Sequence, residues 1–442
     1  MIPQARPRAF VRRLAVGFAA RCALAVVAGC DGERPVLEHA LAPETTALDE
    51  ATGEPRLALA IQAKLRAELE RLCGTPHAPR YALRTEWQAS GFDPNRPFES
   101  VGELSASERD ALRAENRDTF EDELEELDDA NFDGARPSER YFEFVASFDA
   151  LATAPDRVER ARTLLVDRYP TLAESAESYR VKCSHCHGVS GGGDGRTGQF
   201  LEPKPRDFRH GVFKYTGQRE RAVPRRADLL ETLERGLQGT AMPSFRELPL
   251  GERHGLADYV RLLALRGMIE RRLAAFADEE GELTSADADE VYAEVWEQWR
   301  RADEHALVLA AVPPEATPER VRRGRELFHD VARANCVQCH GESGRGDGPA
   351  VWTLDLDGER VLALHDDWGR PTEPRDLTRG RFRGGDRPID LYRRIWAGIP
   401  GTPMPGIGGA RGADGAPVFI SDDVWCLVHY VRALAYGSAD DV

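Results

Sequence analysis

The sequence predicts an all-α chain in which two tandem repeats, each of about 100 residues, follow a helical N-terminal region. Three observations carry this. The stretch C-S-H-C-H-G-V-S-G-G-G-D-G from Cys183 to Gly195 recurs as C-V-Q-C-H-G-E-S-G-R-G-D-G from Cys336 to Gly348. The match resumes downstream: Asp228-Leu229 through Gly239-Thr240-Ala241-Met242-Pro243 returns at one offset of 162 as Asp390-Leu391 through Gly401-Thr402-Pro403-Met404-Pro405. That is a duplication. Each copy then closes on apolar residues at i, i+3, i+4 and i+7, Leu256, Tyr259, Val260 and Leu263 in one and Leu427, Tyr430, Val431 and Leu434 in the other. Such spacing is the stripe of an amphipathic helix.

Residues 1–29 open with Arg6, Arg8, Arg12 and Arg13, contain no acidic residue, and end in an apolar stretch from Cys22 to Gly29. An export signal peptide has this construction. Val27-Ala28-Gly29-Cys30 resembles the lipobox of bacterial lipoprotein signals, so Cys30 is the expected lipidation site. The chain is expected outside the cytoplasm, periplasmic or otherwise extracytoplasmic, held on a membrane by its acyl chains; an ordinary cleaved signal is the alternative. Residues 30–56, rich in Pro, Thr and Glu, are expected to form a flexible tether. Residues 57–170 carry a helical pattern, with Ile61, Leu65, Leu69 and Leu72 on one face and a capping box at Ser105-x-x-Glu108, but no recognisable chemistry. This region is expected to pack as a helical extension on the first repeat.

The first repeat, 171–268, begins with a capping box at Thr171-x-x-Glu174. A charged helical connector, 269–316, contains Trp296 and Trp299, stops at Pro313-Pro314, and is expected to pack between the repeats. In the second repeat, 317–436, Thr317 is an N-cap with Pro318 at the first helical position. This copy holds sixteen extra residues ahead of its Pro-Arg-Asp segment. Within them, Thr353 to Leu356 and Glu359 to Leu364 flank Asp357-Gly358 and predict a β-hairpin.

Composition narrows the function. At 442 residues, with 41% hydrophobic and 30% charged residues, the chain has room for two or three domains and an aqueous body. No apolar run after residue 30 approaches the length of a membrane span. Formal charge is −16, and removal of residues 1–29 with their five arginines takes it to −21. Nucleic acid is excluded as a partner on that balance, whereas a basic redox protein would be steered toward it. Of the eight cysteines, Cys22 and Cys30 lie at the leader and four lie in the repeated motif, leaving Cys73 and Cys426. An exported protein could pair them, but Cys426 within an apolar helical run reads as a buried small side chain.

The pentapeptide C-x-x-C-H, at Cys183-Ser184-His185-Cys186-His187 and Cys336-Val337-Gln338-Cys339-His340, is the attachment signature of a c-type haem. Two thiols on one helical turn add to the two haem vinyl groups, and the adjacent histidine presents an imidazole to iron. A zinc site built on C-x-x-C requires no histidine fixed directly after it. Two covalently bound haem c groups follow, with His187 and His340 as proximal ligands. A sixth ligand closes an iron meant for electron transfer. Met242 and Met404, in the matching Gly-Thr-x-Met-Pro loops 55 and 64 residues after their histidines, are the candidates.

Taken together, these residues resemble tandem class I cytochrome c domains, similar to the dihaem subunits of respiratory oxidases and related bacterial oxidoreductases. The resemblance covers about half the chain. It implies a small helical fold in which first and last helices cross beside the haem, through Tyr179 with Tyr259 in one repeat and around Tyr430 in the other. In the second repeat Gly324-Arg325-Glu326-Leu327-Phe328 stands farther from Cys336 than the family spacing. The resemblance also implies that the carbonyls of Pro205 and Pro374 orient the proximal imidazoles and that Arg206 and Arg375 meet the haem propionates. The implied function is electron transfer between a donor and an acceptor redox protein at or near a membrane. The alternative is a dihaem peroxidase-like oxidoreductase with one exchangeable axial position, against which two equivalent Met loops speak.

Overall fold

The computed structural model describes residues 37–49, 52–82, 172–219, 222–309 and 312–437. The leader with Cys30, the Ser105-x-x-Glu108 box and Thr171 lie outside them. The chain divides into two compact units, Met1–Glu38 and His39–Val442, and the second holds both repeats. Its first helix, α1 (Leu59–Cys73), buries Leu65, Leu69 and Leu72 as their spacing predicts.

In the first repeat α2 (Leu172–Lys182) runs directly into the single turn α3 (Ser184–His187); α4 (Arg226–Arg235) and α5 (Leu250–Glu280) complete it. Tyr179 on α2 meets Tyr259 on α5 with ring centroids 5.1 Å apart. The helix crossing implied by the resemblance is therefore formed. α5 continues unbroken past residue 268, the expected repeat boundary, to Glu280. Gly281, in the left-handed region, then turns the chain into α6 (Ser285–Arg300), opened by a Thr284–Asp287 capping box.

Two expectations are corrected here. Trp296 and Trp299 do not sit between the repeats but in the first repeat's own core, where Trp296 meets Tyr81 at 5.4 Å and Arg261 lies over Trp299. The face of α6 that carries Ala288, Tyr292, Val295 and both tryptophans is too broad to leave wet, and α1 and α5 cover it. Nor is residue 39 to 49 a free tether. Glu270 on α5 is fully buried beside Arg266, at 3.2 Å, and needs further donors. The Ala42 N–H (2.5 Å) and the Thr45 hydroxyl (3.0 Å) supply them, which docks this segment on α5.

The second repeat comprises α7 (Pro318–His329), α8 (Val337–His340), α9 (Pro388–Ala397) and α10 (Ser421–Tyr436), with a hairpin of β1 (Trp352–Leu354) and β2 (Arg360–Leu362). Thr317 caps α7 by accepting the Arg320 N–H, and Gly358 makes the expected hairpin turn at φ 80°. The additional residues before Cys336 form a separate turn at 330–335, so α7 still reaches α10. Gly324 makes the crossing possible: a Cβ there would strike the Cys426 carbonyl, while Phe328 meets Tyr430 edge-on at 5.3 Å. Cys73 and Cys426 are free thiols buried in separate cores. No described helix is long and apolar enough to cross a membrane.

Gly324→Val should destabilise the second repeat by roughly 1–3 kcal/mol through overpacking, seen as an early transition in thermal unfolding. A second expectation concerns acid. Burial, assisted by Arg266, holds His39 neutral, with its pKa lowered from 6.5 to about 3. Its contribution to stability is therefore complete above pH 6.5 and is lost as pH falls toward 3, because the unfolded chain takes up the proton first. Between pH 6.5 and 5 this amounts to about 2 kcal/mol, and His39→Leu should flatten that part of the stability–pH curve in urea titrations.

Candidate functional site

Each C-x-x-C-H motif forms one helical turn, with the His187 and His340 N–H groups donating to the carbonyls of Cys183 and Cys336 at 2.9 and 2.8 Å. The glycine-rich residues that follow bring the chain back onto this turn. Gly188 and Gly341 take φ 75°, open to glycine at little cost, and a Cβ on either would collide with the carboxylate of Asp194 or Asp347. Gly193 N then donates to His187 O (2.9 Å) and Gly195 N to Cys186 O (3.2 Å); Gly346 and Gly348 repeat both bonds on His340 and Cys339 at 2.8 and 3.1 Å. The long sequence match past the histidine therefore encodes a clasp around the attachment turn.

The acceptor for each imidazole departs from the expectation. His187 Nδ1 lies 3.3 Å from the carbonyl of Arg206, and His340 Nδ1 3.3 Å from that of Arg375. The carbonyls of Pro205 and Pro374 face Gly193 and Gly346 instead. Successive carbonyls of an extended segment point to opposite sides, so the clasp occupies the proline carbonyl and leaves the next one for histidine. A carbonyl only accepts; Nδ1 therefore carries the proton and Nε2 keeps its lone pair. Burial pushes His187 down to about 4 and lowers His340 as well, so both are neutral at physiological pH. Phe208 stacks on His187 at 4.6 Å; in the second repeat Leu377 stands in its place, and Phe328 approaches His340 at 6.3 Å.

The methionine loops are likewise built alike. Met242 O accepts from Leu237 N at 3.1 Å and Met404 O from Ile399 N at 3.2 Å, tying each loop to the end of α4 or α9. Thr240 and Thr402 hydroxyls donate to Leu237 O and Ile399 O, both at 2.7 Å, and accept from the methionine N–H at 3.1 and 3.3 Å. Both methionines are half-buried, and Met242 rests on the cluster that contains Cys183 and Tyr179.

The donors suit haem rather than zinc. Among the described residues no three His, Cys, Asp or Glu side chains gather to hold a metal ion, so neither C-x-x-C pair has the further donors that a four-coordinate zinc site needs. Residues 170–260 match the family model described as cytochrome C oxidase, cbb3-type, subunit III, and residues 321–435 match the one described as cytochrome c. The chain carries two cytochrome c-type domains in tandem. Such domains hold haem c covalently and serve haem-based electron transfer, and two of them indicate two haems. No curated protein matches the chain. Among solved structures, a chain of the Kuenenia stuttgartiensis reducing HAO-like protein complex is similar at 27% identity and TM-score 0.44, covering 59% of this chain and 96% of that one.

In each cytochrome domain the C-x-x-C-H residues thus share one helical turn. The side chains of Arg206 and Arg375, expected against the haem propionates, extend to the boundary between the domains. Gly188→Val or Gly341→Val should prevent closure of one clasp. Haem content by alkaline pyridine spectra should fall from about two per chain to about one.

Proposed function

We propose that the protein is a dihaem electron carrier in which His187 and Met242 hold one iron and His340 and Met404 the other. It passes electrons between a donor and an acceptor redox protein at a membrane surface, exported and anchored by lipid at Cys30. The observation that carries this reading is the bond-for-bond equivalence of the two sites, from the Nδ1–H contacts to the threonine-locked methionine loops. Haem c supplies a one-electron ferric/ferrous couple, whose potential thioether ligation raises relative to two histidines.

The residues prepare that couple without adding chemistry of their own. Arg206 and Arg375 carbonyls fix each ring plane and tautomer and raise the basicity of Nε2. The threonine hydroxyls hold each methionine backbone in place, so the sulfur need not swing between oxidation states. Phe208 stacks on His187, Phe213 stacks on Phe208, and the buried Tyr179 hydroxyl donates to Gly188 O, so aromatic side chains line the first attachment turn.

Met242→Ala and Met404→Ala should each create carbon monoxide binding at one haem and remove about half of the near-infrared thioether band of the oxidised protein. Carbon monoxide binding by unmodified protein would instead mark an exchangeable axial position and favour the peroxidase-like alternative.

A further inference from the structure

The two domains meet along a seam of approximate two-fold equivalence. Arg206 of the first domain reaches the Met404 loop, where a Cβ on Gly401 would lie 3.2 Å from its Nη1. Arg375, its counterpart, reaches the Met242 loop, where a Cβ on Gly239 would lie 3.9 Å from its Nη2 and 3.8 Å from Arg383. Each arginine thus serves its own domain's histidine through its carbonyl and faces the other domain's methionine loop with its side chain. Ion pairs of Arg235 with Asp390 (3.2 Å) and of Glu231 with Arg393 (3.1 Å) and Arg387 hold the seam closed.

Within it, donors gather without acceptors. The side chains of Arg206, Lys214, Arg375 and Arg383 form no hydrogen bond or ion pair with a described residue, and Arg383 Nε is buried unpartnered. So is the indole N–H of Trp368. Trp368 belongs to the stretch that holds the second domain's extra residues. Its ring centre lies 4.1 Å from Arg206 Cζ, and its Cζ3 would be 2.6 Å from a Cβ on Gly401. Asp366 acts on both Arg206 and Lys214, yet its Oδ1 already accepts the N–H groups of Trp368 and Arg370, both at 3.0 Å. An unmet buried donor costs roughly 1–3 kcal/mol. Asp207 and Asp376, which act on Arg206 and Arg375, are engaged by Arg209 and by Thr378 with Arg379, so the four cations and the indole N–H are complementary to further carboxylates.

We propose that this seam is one shared carboxylate site for the propionates of both haems, and that the Trp368 N–H donates to one of them and sets the two haem potentials apart. The proposal rests on the dihaem reading above. Arg375 has no ring stacked on it among the described residues, so Trp368 breaks the near-symmetry of the seam. A donor on one propionate offsets negative charge near that iron alone and favours its ferrous form.

Trp368→Phe keeps the ring on Arg206 and removes only the N–H. In spectroelectrochemical titration of the two-haem protein, the reduction equilibrium of one haem should shift toward ferric by about three- to tenfold, tenfold being 59 mV for one electron. The other haem, the haem content and the thioether band should stay as they were. Trp352→Phe, in β1 beneath Arg360, should move neither potential. Unchanged potentials in Trp368→Phe, an equal shift of both haems, or the same shift in Trp352→Phe would overturn the proposal. If Trp368→Phe does not accumulate with two haems, Lys214→Gln takes its place; it should also shift a haem toward ferric, and unchanged potentials would count equally against the seam. Absence of the thioether band from unmodified protein would sink the ligand assignment instead, and the Trp368 comparison would still stand.

Discussion

A histidine offers iron one nitrogen only if the other is committed elsewhere, and both domains are arranged around that commitment. The Nδ1–H of His187 and of His340 needs an acceptor fixed in space, yet the chain leaves the attachment turn at once through glycines. The solution in both domains is a return path. The loop folds over the turn and pairs with the incoming Pro-Arg-Asp segment, through Phe208 N to Gly191 O at 2.7 Å and Leu377 N to Gly344 O at 2.8 Å. Asp207 and Asp376 then cap a short turn by accepting from Arg209 N and Thr378 N, both at 3.0 Å. Pinned directly after the arginine, the segment holds that carbonyl against the ring.

Much of this was legible in the sequence because it is local. Two thiols and a histidine on one turn, a threonine cap before Pro318, an Asp-Gly hairpin turn and the stripes of α5 and α10 all follow from spacing over a few residues. What the sequence did not disclose depends on which backbone group a fold leaves over. Proline and arginine carbonyls are chemically equal, and only the clasp decides that Pro205 O is covered and Arg206 O is not. The docked segment at residues 39–49 was hidden for a similar reason. Its composition is that of a tether, and only the buried carboxylate of Glu270, far along the chain, gives Ala42 and Thr45 a reason to stay. The tryptophans of α6 were visible as apolar residues, but not the side from which they would be covered.

Duplication gave the two domains the same parts, and the differences between them are concentrated around the cofactor sites. Phe208 stacks on one imidazole where Leu377 stands in the other domain. The extra residues of the second domain are spent on a hairpin and on the stretch leading to Trp368, which faces the first domain rather than its own core. Equivalent ligands in unequal surroundings are a way to give two chemically identical groups different affinities for an electron, because desolvation and nearby charge act on the iron without touching its bonds.

The unbroken course of α5 has a consequence for how such a chain can be cut and reused. One helix closes the first domain, carries Glu270 that receives residues 42 and 45, and forms the floor on which α1 and α6 lie. Severing it after residue 268 would expose Ile269, Leu273 and Ala277, which are now dry. The first domain must therefore travel with its flanks, because the helix that completes its core is also the one on which those flanks are seated.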